Sequence, residues 1–195
     1  MDSRARFSLI FIVLSLLAIS AFSPVAFAAN PTGPASYYLV RITKFELWNG
    51  TEWITAFSGT SDGLNIAAAS DTSSSVGNFL SGIAVPDGTY TSSRVTPSGT
   101  FVFSGNDGAG NYTTANIGAG AGVHGSTPTT NAALEAQCTI TVTAGAQEKA
   151  LSPSIVVKDG TPNHRVRVKF NLSNAIENIS GELFPAAPAV SVSVI

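Results

Sequence analysis

Tyr37-Tyr38-Leu39-Val40-Arg41-Ile42-Thr43-Lys44-Phe45-Glu46-Leu47-Trp48-Asn49-Gly50-Thr51-Glu52-Trp53-Ile54 reads as paired β-strands. Successive side chains of a strand point to opposite faces, so period-two alternation marks a strand with one buried face. Tyr38, Val40 and Ile42 share a face, after which the apolar pair becomes Phe45 and Leu47. A β-bulge near Thr43 explains that change of phase, because one extra residue turns every later side chain over. Asn49-Gly50 separates Trp48 from Thr51-Glu52-Trp53-Ile54. This spacing predicts a hairpin with a two-residue type I′ turn, both central residues at positive φ.

The same pattern continues outward. Pro86-Asp87-Gly88 leads into a strand over 89–95, and residues 100–104 follow with Phe101 and Phe103 on one face, which predicts a second hairpin. Residues 137–143 alternate, with Cys138, Ile140 and Val142 inward and three threonines outward. Ile155-Val156-Val157, the turn Lys158-Asp159-Gly160 and a strand over 164–172 predict a third hairpin. Its last strand turns Val166, Val168, Phe170 and Leu172 in and Arg165, Arg167 and Lys169 out, and Val190, Val192 and Val194 mark a final strand. Beyond residue 28 no apolar 3.6-residue period persists over 12 residues. Short strands with turn signals every 8 to 12 residues predict an all-β chain, a single antiparallel β-sandwich. Two stretches read differently. Residues 58–81 are rich in Ser, Ala and Asp, with room for one short helix or strand around 64–67. Residues 105–130 hold seven of the chain's 18 glycines and a single charge, Asp107, and read as a long, flexible Gly-rich insertion whose composition cannot order itself alone.

The chain has 195 residues, 44% hydrophobic and 11% charged, with a formal charge of −2. An average soluble domain is about one quarter charged. So weak and negative a charge points away from nucleic acid. One cysteine and no C-x-x-C pair leave structural zinc and a disulfide scaffold unsupported. Residues 1–28 read as a secretory signal peptide: Arg4 and Arg6, an apolar run over 7–22, and Ala26-Phe27-Ala28 as the small-residue cleavage site. A membrane anchor needs about 20 apolar residues, and Pro24 and the cleavage site come too soon. Cleavage after Ala28 removes Asp2, Arg4 and Arg6 and leaves residues 29–195, 167 residues at formal charge −3. That length suits one domain, able to bury about two thirds of its unfolded surface without metal or disulfide. No lipid anchor is expected, since Cys138 lies far from the signal, and no membrane span is expected in the mature chain. The expected location is extracellular or on the cell surface.

Sites of chemistry are sparse. Gly59-Thr60-Ser61-Asp62-Gly63 matches the G-x-S-x-G nucleophile pattern, but no buried parallel strand precedes it and no amphipathic helix follows. Its base would have to be His124, in the Gly-rich stretch, or His164, beside exposed cations; a plain turn is the simpler account, and no enzyme is expected. Two histidines 40 residues apart and a core-facing cysteine make no ligand set, so no metal or cofactor is expected and Cys138 reads as a buried thiol. Asn106, Asp107 and Asn111 offer calcium-type oxygens without EF-hand spacing. The candidate ligand contacts are Trp48 and Trp53, as an aromatic platform for sugar rings, and the stripe Arg165, Arg167, Lys169 for an anionic polymer. Cross-strand packing of the tryptophans and a solvated, edge-protecting face for the cations are the plainer alternatives. Sequons place candidate glycosylation at Asn49, Asn111, Asn171 and Asn178.

The order of a strand ending Ile42-Thr43-Lys44-Phe45-Glu46-Leu47-Trp48, a tryptophan hairpin Glu52-Trp53-Ile54, Gly63-Leu64-Asn65-Ile66, and Val85-Pro86-Asp87-Gly88-Thr89-Tyr90-Thr91-Ser92-Ser93-Arg94-Val95 resembles exported bacterial and archaeal domains of the domain-of-unknown-function 4382 family. The resemblance covers about 60 residues and implies a transthyretin-like, immunoglobulin-like β-sandwich on the cell surface, without catalytic residues to carry over. Many such domains look like lipoproteins, whereas this chain has no cysteine near its N-terminus. Together these features predict a secreted, non-enzymatic structural or adhesive surface protein, with a self-assembling filament subunit that uses β-strand complementation by 189–195 or 37–42 as its specific form. The alternative is a monomeric extracellular carbohydrate- or cell-wall-binding module. The partners expected are accordingly further copies of the chain or a cell-surface polymer.

Overall fold

The computed structural model describes residues 29–68 and 84–195. The expected signal peptide and residues 69–81 lie outside them. Among the described residues fourteen strands run in order: β1 (Thr32–Gly33), β2 (Ala35–Val40), β3 (Ile42–Trp48), β4 (Trp53–Ser58), β5 (Leu64–Asn65), β6 (Gly88–Pro97), β7 (Thr100–Gly105), β8 (Cys138–Thr141), β9 (Gln147–Lys158), β10 (Thr161–Pro162), β11 (Val166–Asn171), β12 (Ile176–Ile179), β13 (Glu182–Pro185) and β14 (Ala189–Val194). Single 3₁₀ turns at Ile66–Ala68 and Ala132–Leu134 are the helical elements among the described residues. Every strand pair is antiparallel. The all-β, antiparallel fold is as the alternation predicts, and the sheets are compatible with a β-sandwich.

Two sheets dominate, ordered β5-β2-β7-β8 and β4-β3-β6-β9-β10, with a three-stranded β1-β12-β13 and a ribbon β11-β14 beside them. The stretch 37–48 is therefore two strands, because the chain passes from the first sheet into the second at Arg41. The expected bulge is present, as a register shift against β6 between Ile42 and Lys44. The same passage occurs twice more, from β6 to β7 at Ser98-Gly99 and from β8 to β9 beyond Thr141. Thus β2/β3, β7/β6 and β8/β9 lie in matching order on either side of a common corner. Ser98 N–H donates to the Arg41 carbonyl at 2.8 Å and Val142 N–H to the Gly99 carbonyl at 2.9 Å, stitching the three crossings together.

This corner overturns the expected second hairpin. β6 pairs with β3 and β9, while β7 pairs with β2 and β8, so 89–95 and 100–104 are never partners. The third expected hairpin is likewise cut short: β9 turns only into β10, and β11 pairs with β14. Asp159 (φ 51°) and Gly160 (φ 70°) form the two-residue turn with positive φ at both positions. The turn after Trp48 differs from expectation. Trp48 pairs with Trp53, so four residues connect the strands, and Gly50 alone of the central pair has positive φ (96°). Asn49 Oδ1 accepts from Thr51 N–H and Glu52 N–H and closes the loop locally.

The core has two centres. Tyr38, Phe103, Cys138 and Ile140 of the four-stranded sheet meet Ile176 and Leu183 of the three-stranded one, with Ala175 just before β12. Cys138 and Ile140 are buried and Thr139 and Thr141 exposed, as alternation predicts. Leu47, Tyr90, Leu151, Ile155 and Val157 form the second centre, against which Val192 and Val194 of β14 pack. The ribbon's other strand follows expectation only in part: Val166 and Val168 are 41% and 44% exposed, whereas Phe170, with Leu172 after it, packs against the first core.

After Gly105, which ends β7, residues 106–130 hold isolated β-bridges and the loops between them, with several polar side chains buried. Asp107, Thr113 and Ser126 are fully buried. Tyr112 and Thr129 exchange backbone bonds, as do Ser126 and Leu183. The contacts of this segment are made by buried polar groups rather than by apolar area.

Gly99 tests the corner. A methyl group built there overlaps the Val142 carbonyl oxygen, which is backbone and cannot rotate away. Gly99→Ala is expected to cost about 2 kcal/mol, in the range of overpacking strain, measured as a lowered urea midpoint with an unchanged slope.

Candidate functional site

Alternation along β3 sends Phe45 and Leu47 into the second core and Lys44, Glu46 and Trp48 to the opposite face of the five-stranded sheet. Registry then assembles a cluster there. Trp48 lies opposite Trp53 on β4, Glu46 opposite Arg94 on β6, and Arg94 opposite Glu148 on β9. The two indole rings sit 5.4 Å apart, tilted by 52°, and the Arg94 guanidinium lies 4.2 Å from the Trp53 ring centroid. Arg94 Nε is 2.8 Å from Glu46 Oε2, and Lys44 Nζ is 2.7 Å from Glu46 Oε1. The Glu46 side chain is only 5% exposed beneath cations that are 30% and 42% exposed. The hydrogen bond from Arg94, reinforced by Lys44 against the cost of burial, pulls the Glu46 carboxyl down to about 2. A buried carboxylate thus holds two cations, one of them stacked on an aromatic ring, at a half-open surface.

Both expected tryptophans therefore come together, packed on one another as the cross-strand alternative has it, with a face of Trp53 covered by Arg94. Glu46 and Arg94 were not singled out from sequence. They lie 48 residues apart, and only the β3–β6 register joins them. Arg165, Arg167 and Lys169 do not join this cluster. All three are exposed at or on β11, in the separate ribbon.

The sequons divide by geometry. Asn49 and Asn171 are exposed, whereas the side-chain nitrogens of Asn111 and Asn178 donate to Asp107 Oδ2 at 2.7 and 2.8 Å. Asp107 Oδ1 accepts from Ala109 N–H and Asn111 N–H. Burial pushes this carboxyl up, but the four donors outweigh it and hold it below the usual range. Their hydrogens already neutralise the oxygens a calcium ion would take, so Asp107 is an internal anchor for the loop.

Ser61 is buried, its Oγ accepting from Ile42 N–H and donating to the Asp62 carbonyl. That fixes the start of β3 and agrees with a plain turn. His124 has a carboxylate partner: its Nδ1 lies 3.0 Å from Glu182 Oε1, and Glu182 Oε2 accepts Gly125 N–H. Its Nε2, the nitrogen that would draw a proton from serine, is buried with no hydrogen-bond partner among the described residues. No group of three His, Cys, Asp or Glu residues is placed to hold a metal ion, and no helix is long and apolar enough to cross a membrane, among the described residues. Comparison of the chain with protein-family models, with curated proteins and with solved structures found no match.

The pH dependence follows from Glu46. Its folded carboxyl titrates near 2 instead of 4.5, so the stability it contributes is complete above pH 4.5 and is lost as pH falls from about 4.5 towards 2. Glu46→Gln is expected to lower stability by about 1 kcal/mol at neutral pH, the cations being partly open to water. In urea titrations across pH the gap from the wild type should close below pH 4.5.

Proposed function

We propose that the protein is an exported, non-enzymatic domain of the cell surface that acts by adhesion, with carbohydrate as its ligand and the Trp48–Trp53–Arg94 cluster as its contact. The observation that carries this reading is the pre-ordered cluster itself. Arg94 and Lys44 are anchored by one buried carboxylate, so they present donors to hydroxyl or carboxylate oxygens at little further entropic cost. The half-buried indoles beside them offer apolar surface to the C–H faces of a sugar ring. Export rests on the signal-like residues 1–28, and the surface location on these together with the family resemblance.

Self-assembly by strand exchange is the second reading, and the ribbon favours it. Among the described residues β14 pairs with β11 alone, and it packs Val192 and Val194 against the core, so the same position in another copy accepts the same strand. Within one chain β14 is already paired with β11, and Tyr37 and Tyr38 with β7.

Titration with surface polysaccharides is expected to shift the intrinsic tryptophan fluorescence. Trp48→Ala should weaken binding about tenfold, the worth of one aromatic contact, and the absence of any shift with neutral or acidic glycans would overturn the carbohydrate reading. Removing residues 189–195 is expected to abolish any assembly seen by negative-stain electron microscopy while sparing secretion; unchanged assembly would remove strand exchange.

A further inference from the structure

The ribbon strand β11 has a second edge, and its chemistry is specific. Arg165 and Ile195 exchange two backbone hydrogen bonds of 2.8 Å. In an antiparallel pair such mutually bonded positions recur every second residue, so Arg167 and Ser193, Lys169 and Ser191, and Asn171 and Ala189 are bonded likewise. The peptide groups of Val166, Val168 and Phe170 therefore point the other way, to the side of β11 where no strand lies among the described residues. Three donors and three acceptors face outward in register. The side chains divide by face. Val166 and Val168 are exposed on one face, and Arg167 and Lys169, with Arg165 before them, are exposed on the other. None of the three cations has a carboxylate within 4.0 Å among the described residues.

We propose that this edge docks an extended segment of a partner protein in which acidic and apolar residues alternate, added as a third strand of the ribbon. Charge complementarity selects the occupant. A strand laid beside β11 places alternate side chains against Arg167 and Lys169, where carboxylates pair with them, and the intervening ones against Val166 and Val168, where apolar groups cover exposed surface. A second copy of β11 is the wrong occupant: paired antiparallel about Val168, it sets Arg167 against the other copy's Lys169, and like charges directly opposite repel. The edge thus excludes itself and admits an acidic strand, and this proposal does not depend on the carbohydrate reading of the other sheet.

The test measures fluorescence anisotropy of a labelled peptide of alternating glutamate and valine with the full chain, at low and high salt. Binding that weakens with salt is expected. A peptide N-methylated at the amides that would face β11 keeps its charges but not its hydrogen bonds, and should lose at least about tenfold in affinity. Val168→Pro removes only an outward N–H, so it should leave the β14 pairing intact and weaken binding similarly. Arg167→Glu with Lys169→Glu should reject the glutamate peptide and accept its lysine counterpart. Failure of the wild-type chain to bind the peptide overturns the proposal. So does equal binding of the N-methylated peptide, or of a sulfated polysaccharide to wild type and Val168→Pro alike, since cations alone would then suffice.

Discussion

Two backbone hydrogen bonds, from Ser98 to Arg41 and from Val142 to Gly99, hold the corner at which three long strands leave one sheet and enter another. Everything else follows from that corner. It gives each sheet an inner face, separates the core into two centres, and allows a continuous run of alternating residues to serve two layers. The bulge after Ile42 is the compensating device, since the apolar residues must change side when the strand changes sheet. Gly99 completes it by letting the Val142 carbonyl approach where any side chain would stand.

Buried polar groups organise what apolar area does not. Glu46 gathers Lys44 and Arg94 on the outer sheet face, and Asp107 gathers Asn111, Asn178 and two backbone N–H groups within the Gly-rich stretch. In both places a desolvated carboxylate is satisfied by several donors, the condition under which burying a charge is tolerable. The outcomes differ. Asp107 is enclosed by amides that end their lines of force inside the protein, whereas Glu46 fixes cations and an indole at a surface open to a ligand. The second arrangement is the one on which the proposed adhesion rests, since it holds cations and an indole in fixed positions.

Of the candidate site, Trp48 and Trp53 were legible because they flank a local turn, and local turns follow from nearby residues. Arg94 and Glu46 were not, because their meeting depends on the register of β3 against β6, and Arg94 is one exposed-looking residue in a Ser- and Thr-rich strand. The stripe Arg165, Arg167 and Lys169 was legible as a face, but its place on a strand with one open edge was not. His124 shows the same limit: its carboxylate, Glu182, comes from 58 residues away.

The sequence by itself determined that the chain is β, where most strands lie, and which side chains share a face, because alternation is a property of a single strand and needs no partner. It also determined that Cys138 and Ile140 turn inward. Partnership was decided only by the tertiary structure. Whether 100–104 pairs with 89–95 or with 35–40, which residues of β11 and β14 reach the core, and which partners a Gly-rich stretch finds all depend on residues far along the chain. Any alternating strand can pair with any other, and only the summed burial and hydrogen bonding of the whole fold selects among them.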